Sequence, residues 1–257
     1  MRRFYAPPEA CRSGLILLPE SETRHALKVL RLRPGAEVAV LDGRGGVFEG
    51  RLAAVVEGRA QVEAVKKTFR PRPAPELILF QAALKSRRME WAVEKAVELG
   101  AARIAPILTA RSVPDWDARQ AEQKRRKWQA AALAALKQSG NFWLPEIDAP
   151  APLARRLQTP ADLPERNYVA SLRPDAVPLR DRLLEEQGAE RAPQSVGFWI
   201  GPEGDFTEAE ERSLREAGAL PVTLGPATLR SETAAIVCLA LGACAFQRSP
   251  GEAKGAP

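Results

Sequence analysis

The stretch that decides the fold is Val196-Gly197-Phe198-Trp199-Ile200-Gly201-Pro202-Glu203-Gly204-Asp205-Phe206-Thr207. It begins as a short, mostly apolar run of strand length and passes through two closely spaced glycines. Thr207 and Glu210 then have the spacing of a capping box that opens a helix. A buried strand that releases bare backbone into a capped helix is what a parallel sheet offers at the carboxyl ends of its strands, where α/β folds bind ligands. A tight strand-to-helix turn without a ligand has the same outline but leaves Glu203 between the glycines unexplained, so a binding loop is the favoured reading.

A second loop repeats this logic. Residues 222–224 read as a strand running into Gly225-Pro226-Ala227-Thr228-Leu229-Arg230, after which Ser231-Glu232-Thr233 opens a strongly apolar helix. Two glycine-bearing strand ends in one sheet make two lips of a pocket. Arg230 falls beside a helix N-terminus, a costly place for a cation unless an anion or RNA phosphate accompanies it, or unless it pairs with Glu232. The apolar helix suits a buried position, a subunit interface, or both. A third cluster, Lys85-Ser86-Arg87-Arg88, leaves a predicted strand towards the same ligand edge, and its basic residues favour phosphate or base contact. Glu94 and Lys95 are adjacent rather than four apart, which argues against a simple helical ion pair between them.

Working outward, strands expected at 77–80, 104–107, 168–172, 196–200 and 222–224 alternate with helices at 89–99, 121–138, 179–186, 208–217 and 232–246. That alternation predicts an α/β fold with a mostly parallel sheet covered on both faces. Residues 149–166 read as an irregular connection. Upstream, Phe69-Arg70-Pro71-Arg72-Pro73-Ala74-Pro75 can continue neither a helix nor a central strand and reads as a linker. Before it, β-branched runs at 38–41, 47–56 and 61–65 separated by glycine turns predict a small β barrel. The expected division is a small β barrel at 1–70, a linker at 71–76, a larger α/β domain at 77–248 and a frayed tail at 249–257. One helix interrupts the barrel, with Ser21 as its expected N-cap. Its outer side and following loop carry Arg24, His25, Lys28, Arg31 and Arg33, opposed only by Glu22, and predict a phosphate-binding patch.

Composition narrows the chemistry. The chain has 257 residues and a formal charge of +6, with a pI near 9.5, and its arginine-rich surface suits phosphate recognition. Cys11, Cys238 and Cys244 form neither a disulfide framework nor a zinc motif, and a cytosolic protein is expected. No apolar run is long enough for a membrane span, and no signal segment is evident. His25 is the single histidine, which disfavours zinc hydrolases and Ser-His-Asp catalysis, and no metal is expected. No nucleoside-triphosphate loop or dinucleotide fingerprint is present. Carboxylates, Arg, Lys and backbone groups are left to carry the chemistry.

Five segments together, RHALKVLRLRPGAEVAVLDGRGG, KSRRMEWAVEKAVELGAARIAPI, KWQAAALAALKQSGNFWLPEI, IGPEGDFTEAE and LGPATLRSETAAI, resemble the RsmE family of 16S rRNA uridine-N3 methyltransferases in the SPOUT superfamily. The resemblance spans about residues 4–246, and the last two motifs in tandem are highly specific. It implies a PUA-like β barrel, a C-terminal parallel-sheet domain with a deep trefoil knot, and a cytoplasmic homodimer that acts on the small ribosomal subunit. It places an S-adenosylmethionine site on Leu172, Ile200, Gly201, Pro202, Glu203, Gly204, Leu224, Gly225, Leu229 and Arg230. Within it, Glu232 or Glu203 is the candidate base for uridine N3, with Arg230 stabilising the developing negative charge. The alternatives are another RNA target or a non-catalytic ribosome-assembly factor. Two departures stand out: Lys137-Gln138-Ser139-Gly140-Asn141 replaces a Glu-Gln-Ser/Cys-Gly-Arg segment expected in a loop near the substrate, and Arg173 follows Leu172 where a histidine is common.

Overall fold

The structure is a computed structural model that describes residues 1–112 and 116–246. The tail expected at 249–257 lies outside the described residues. The chain divides into two compact units, one of Met1–Arg72 with Leu133–Leu144, the other of Pro73–Ala132 with the chain from Pro145 onward.

In the first unit, β1 (Arg2–Tyr5), β2 (Leu15–Leu17), β3 (Glu37–Leu41), β4 (Gly46–Val56) and β5 (Arg59–Phe69) form one sheet in the order β1-β3-β4-β5-β2. The β1–β3 pair is parallel and the others are antiparallel. Alternation sends Phe4, Ile16, Val38, Val40, Phe48, Leu52 and Val62 into a common core. The strands β1 and β2 are too short to show a period in the sequence, and they were not anticipated.

Helix α1 (Glu20–Arg24) corrects the expected cap. Pro19 holds the N-cap position and its carbonyl accepts the Thr23 N–H at 2.8 Å, so Ser21 already lies inside the helix and caps nothing. The helix widens into a π turn over His25–Val29. Glu22 does not stand among the outer charges either. It is 4% exposed, accepts the Tyr5 N–H, and is paired with the Lys137 ammonium at 2.5 Å.

The second unit begins with β6 (Glu76–Ala82), α2 (Ser86–Glu98), β7 (Arg103–Leu108) and α3 (Ala118–Ser139), whose final turns count with the first unit. It continues through β8 (Glu146–Ile147), β9 (Ala151–Pro152), α4 (Leu153–Leu157), β10 (Arg166–Ala170), β11 (Val177–Pro178) and α5 (Leu179–Gln187). It ends with β12 (Ser195–Ile200), α6 (Glu208–Glu216), β13 (Ala219–Thr223) and α7 (Ser231–Phe246). The sheet runs β11-β13-β10-β12-β6-β7-β8, with β9 also on β7, and these strands all pair in parallel. Residues 149–166, expected to be irregular, instead contain β9, α4 and a 3-10 turn at Pro160–Asp162. These pieces are shorter than any period that a sequence pattern can reveal.

Near-continuous apolar strands follow from burial on both faces. Ile78, Phe80 and Trp199 turn towards Leu153 of α4 and Leu214 of α6, and the Phe80 and Trp199 rings stack with centroids 3.7 Å apart. Their neighbours Leu77 and Phe198 face α7, where a Cβ on Gly242 would lie 2.9 Å from the Phe198 ring. Only a glycine lets the helix come that close. Adjacent Glu94 and Lys95, expected not to pair, do so at 3.1 Å while Lys95 also reaches Glu98 at 2.8 Å. The flexible lysine stem bends back where two rigid side chains could not meet.

Candidate active site

Three parallel strands, β10, β12 and β13, end beside one another, and their following loops enclose a cavity of about 280 Å³. All the expected cofactor residues except Gly204 line it: Leu172, Ile200, Gly201, Pro202, Glu203, Leu224, Gly225, Leu229 and Arg230. The pocket thus has three lips, the additional one being Ala170, Ser171 and Leu172 after β10. Gly204 does not line it. Pro202 O accepts the Asp205 N–H at 3.0 Å, and at the corner of that turn the Gly204 carbonyl faces the Arg111 guanidinium at 2.5 Å rather than the cavity.

Two glycines shape the lining. Gly225 has φ +136°, a conformation that side-chain-bearing residues rarely adopt, and nothing lies within 4 Å of where its Cβ would be. At Gly201 a Cβ would press on the Asp205 carboxylate at 3.1 Å and on Phe206 at 3.3 Å. Bare backbone at both loops gives a ligand access to main-chain groups. The helix after the first loop is fixed by the full capping box of Thr207 and Glu210.

Behind the pocket runs a relay that the sequence reading missed. Gln81, at the end of β6 and 0% exposed, donates from Nε2 to Ser231 Oγ at 2.8 Å. Ser231 Oγ in turn donates to the Gly201 carbonyl at 2.5 Å. A core amide therefore braces the β12 loop against the start of α7. The signal was available, since a glutamine inside the apolar run from Leu77 to Leu84 has to find hydrogen-bond partners. Ser171 was also missed; its hydroxyl donates to buried Glu211 at 2.8 Å, which fixes the start of the β10 loop.

The acid and guanidinium candidates gather around Arg88. Its Nη1 meets Glu203 at 2.5 Å and its Nε lies 3.8 Å from Glu232. Glu203 lines the cavity and is partly exposed, whereas Glu232 does not line it, is 6% exposed, and has a buried Oε2 without a hydrogen-bond partner among the described residues. Arg230 is exposed and makes no ion pair among the described residues, so the expected Arg230–Glu232 alternative is not formed. Its carbonyl accepts the Ala234 N–H at 2.8 Å as α7 begins.

Of the expected RNA contacts, Lys85 and Arg87 are exposed beside α2, while Arg88 is committed to the two glutamates. Arg24, His25, Lys28, Arg31 and Arg33 are all exposed in the first unit, and none has an ion pair among the described residues. Lys137 lies in α3 rather than in a substrate loop, and its charge answers Glu22. Among the described residues no side-chain group could hold a metal ion, and no helix is long and apolar enough to cross a membrane.

A parallel sheet whose glycine loops enclose a cavity at the carboxyl ends of its strands is the arrangement of an α/β ligand-binding domain. Residues 70–243 match the RNA methyltransferase domain family and residues 18–65 match the RNA methyltransferase PUA domain. The chain belongs to the RNA methyltransferase family, and its N-terminal unit is PUA-like. It is 29% identical over 239 residues to the ribosomal RNA small subunit methyltransferase E of Mycobacterium bovis, covering 92% of this chain and 88% of that one. The namesake from Bacillus subtilis is 28% identical, covering 88% of each chain. Among solved structures, a ribosomal RNA small subunit methyltransferase E from Neisseria gonorrhoeae bound to S-adenosyl methionine matches with a TM-score of 0.82 and 28% identity, over 96% of this chain and 98% of that one. These likenesses uphold the RsmE-family resemblance of the sequence motifs.

Proposed function

We propose that this chain methylates N3 of a specific uridine in 16S rRNA, near the decoding region of the assembled small ribosomal subunit. It takes the methyl group from S-adenosylmethionine and works as a cytoplasmic homodimer. The observation that carries this reading is the glycine-lined cavity at three parallel strand ends, with a buried, half-partnered carboxylate at the helix that closes it. The relatives that are named as small-subunit rRNA methyltransferases, one of them solved with S-adenosyl methionine, support the donor and the RNA class.

The residues present fit that donor. Gly201 and Gly225 supply bare backbone, Leu172, Ile200, Leu224 and Leu229 supply apolar walls, and Glu203 and Arg230 supply charge. When bound, S-adenosylmethionine supplies an electrophilic methyl carbon. The protein's tasks are to hold uridine N3 in line with that carbon and to remove its proton. Both carboxylates face Arg88, Glu203 at 2.5 Å and Glu232 at 3.8 Å, and Glu203 is the one that lines the cavity; Glu232 is taken as the base because its buried Oε2 accepts no hydrogen bond among the described residues. Arg230, without an ion pair among the described residues, stabilises negative charge on the uracil carbonyl oxygens. A stacked target base must first be extruded, at a cost of a few kcal/mol.

The test maps modified nucleosides after reaction with undermodified small subunits, free 16S rRNA and bulk tRNA. Label as 3-methyluridine in small-subunit rRNA is the expected result, and label only in tRNA would move the activity to another RNA. Glu232→Gln is expected to slow single-turnover methylation by about a hundredfold or more, as loss of a general base does, and Glu203→Gln much less. A double Gln variant that reacts at the wild-type rate would remove both carboxylates from the proton step.

A further inference from the structure

A second cavity, of about 390 Å³, lies in the second unit on the face of the sheet that carries α4, and shares no lining residue with the first. Its volume falls within the range of ligand pockets. Four arginines reach it from three parts of the chain: Arg103 at the start of β7, Arg125 of α3, and Arg155 and Arg156 of α4. Local sequence does not bring these together; the sheet edge does.

The charges in this cavity are incompletely matched. Asp148, 9% exposed, accepts from Arg103 Nε and Nη2 and also holds Arg156 Nη1 at 2.7 Å, so one carboxylate serves two guanidiniums. Arg156 Nη2 donates to the Ala149 carbonyl at 2.7 Å, and its Nε is buried with no hydrogen-bond partner among the described residues, an arrangement that costs stability. Burial pushes the Arg156 guanidinium below its ordinary range, with the charges of Arg103 and Arg155 acting in the same direction and Asp148 opposing them. Arg155 is exposed and has no ion pair among the described residues. Arg125 donates from Nε to the Ile147 carbonyl and pairs loosely with Glu122 at 3.4 Å. Glu146 and Asp162 also line the cavity, both exposed, so four cations face three carboxylates and an excess of positive charge remains.

We propose that this cavity is a phosphate-binding site, and that its ligand is a backbone phosphodiester of the RNA substrate held by Arg155, Arg156 and Arg125. The planar guanidinium fork of Arg155, which has no ion pair among the described residues, matches phosphate oxygens in pairs, and the anion answers the surplus of positive charge that the four arginines bring to the cavity. The proposal deepens the rRNA reading above and rests on it, but its test reads binding rather than methyl transfer. A wrong target base would therefore leave it standing.

Full-length wild-type protein, Arg155→Gln and Arg156→Gln are compared for affinity to 16S rRNA across a KCl series, for S-adenosylmethionine affinity, and for inorganic phosphate by titration calorimetry. Arg156→Gln deprives Asp148 of one partner and can lower stability, so exposed Arg155 is the decisive position. Arg155→Gln is expected to weaken rRNA binding about tenfold, the loss of one charged hydrogen-bonded contact. It should lower the slope of log K against log salt by about one and leave the affinity for S-adenosylmethionine unchanged. If rRNA binding is unaffected while wild type, but not Arg155→Gln, binds inorganic phosphate, the phosphate site stands and RNA as its ligand is overturned. Wild-type rRNA binding by both variants, with no saturable phosphate binding by wild type, overturns the whole proposal.

Discussion

Gln81, Glu22 and Lys137 show what single side chains do here that their residue types do not announce. The Gln81 amide reaches the pocket only through Ser231, and its effect on a ligand must pass through the Gly201 carbonyl. Replacing it with leucine removes the buried hydrogen bonds to Ser231 and to the Ala82 carbonyl and frees the loop. A donor affinity lower by about threefold to tenfold is expected from the usual worth of such a bond, with turnover at saturating donor nearly unchanged. Calorimetry and steady-state kinetics together separate this from a general loss of folded protein. Lys137 departs from the acidic residue expected there, and the structure supplies a reason: its ammonium neutralises a carboxylate with almost no access to water. Lys137→Ala leaves Glu22 buried and unpaired, and chemical denaturation should show a loss of about 3 kcal/mol or more. An unaltered midpoint would mean that water or Arg3, which donates to the Lys137 and Gln138 carbonyls, compensates.

At the level of elements, the capping box is the local signal that transferred from sequence to structure without change. Thr207, three residues before Glu210 and directly after a glycine loop, could be read as a helix start because both partners are local. Thr207→Ala is expected to cost about 1 kcal/mol, measurable as a lower denaturant midpoint. The Ser21 cap failed because Pro19, two residues earlier, takes the N-cap position and starts the helix sooner. The strands β1, β2, β8, β9 and β11 are two to four residues long and carry no period; they exist because a longer neighbour offers its edge. At the packing of α7 on β12, Gly242→Val should cost about 1–3 kcal/mol through overpacking against Phe198.

For the whole molecule, α7 turns one side to α2, α5 and the sheet and leaves Ile236, Val237, Ala240 and Leu241 half-exposed. That apolar remainder is the surface the proposed homodimer is expected to use. Val237→Glu is expected to sediment as a monomer where wild type sediments as a dimer, and a monomeric wild type would remove the dimer from the proposal. The α/β class, the parallel sheet and two of the pocket's three lips were legible in the sequence, because each depends on periodicity, glycine and capping residues that act over a dozen positions or fewer. The same local signals could not show that Leu133–Leu144 belongs with the N-terminal unit, that Gly204 turns outward to Arg111, or that Arg88 stands between Glu203 and Glu232. Strand order and sheet register brought Arg111 to Gly204 across 93 residues of chain and Arg88 to Glu203 across 115. Chemistry that depends on side chains meeting at a few ångströms was therefore decided by tertiary packing, while the local sequence determined which elements there were to pack.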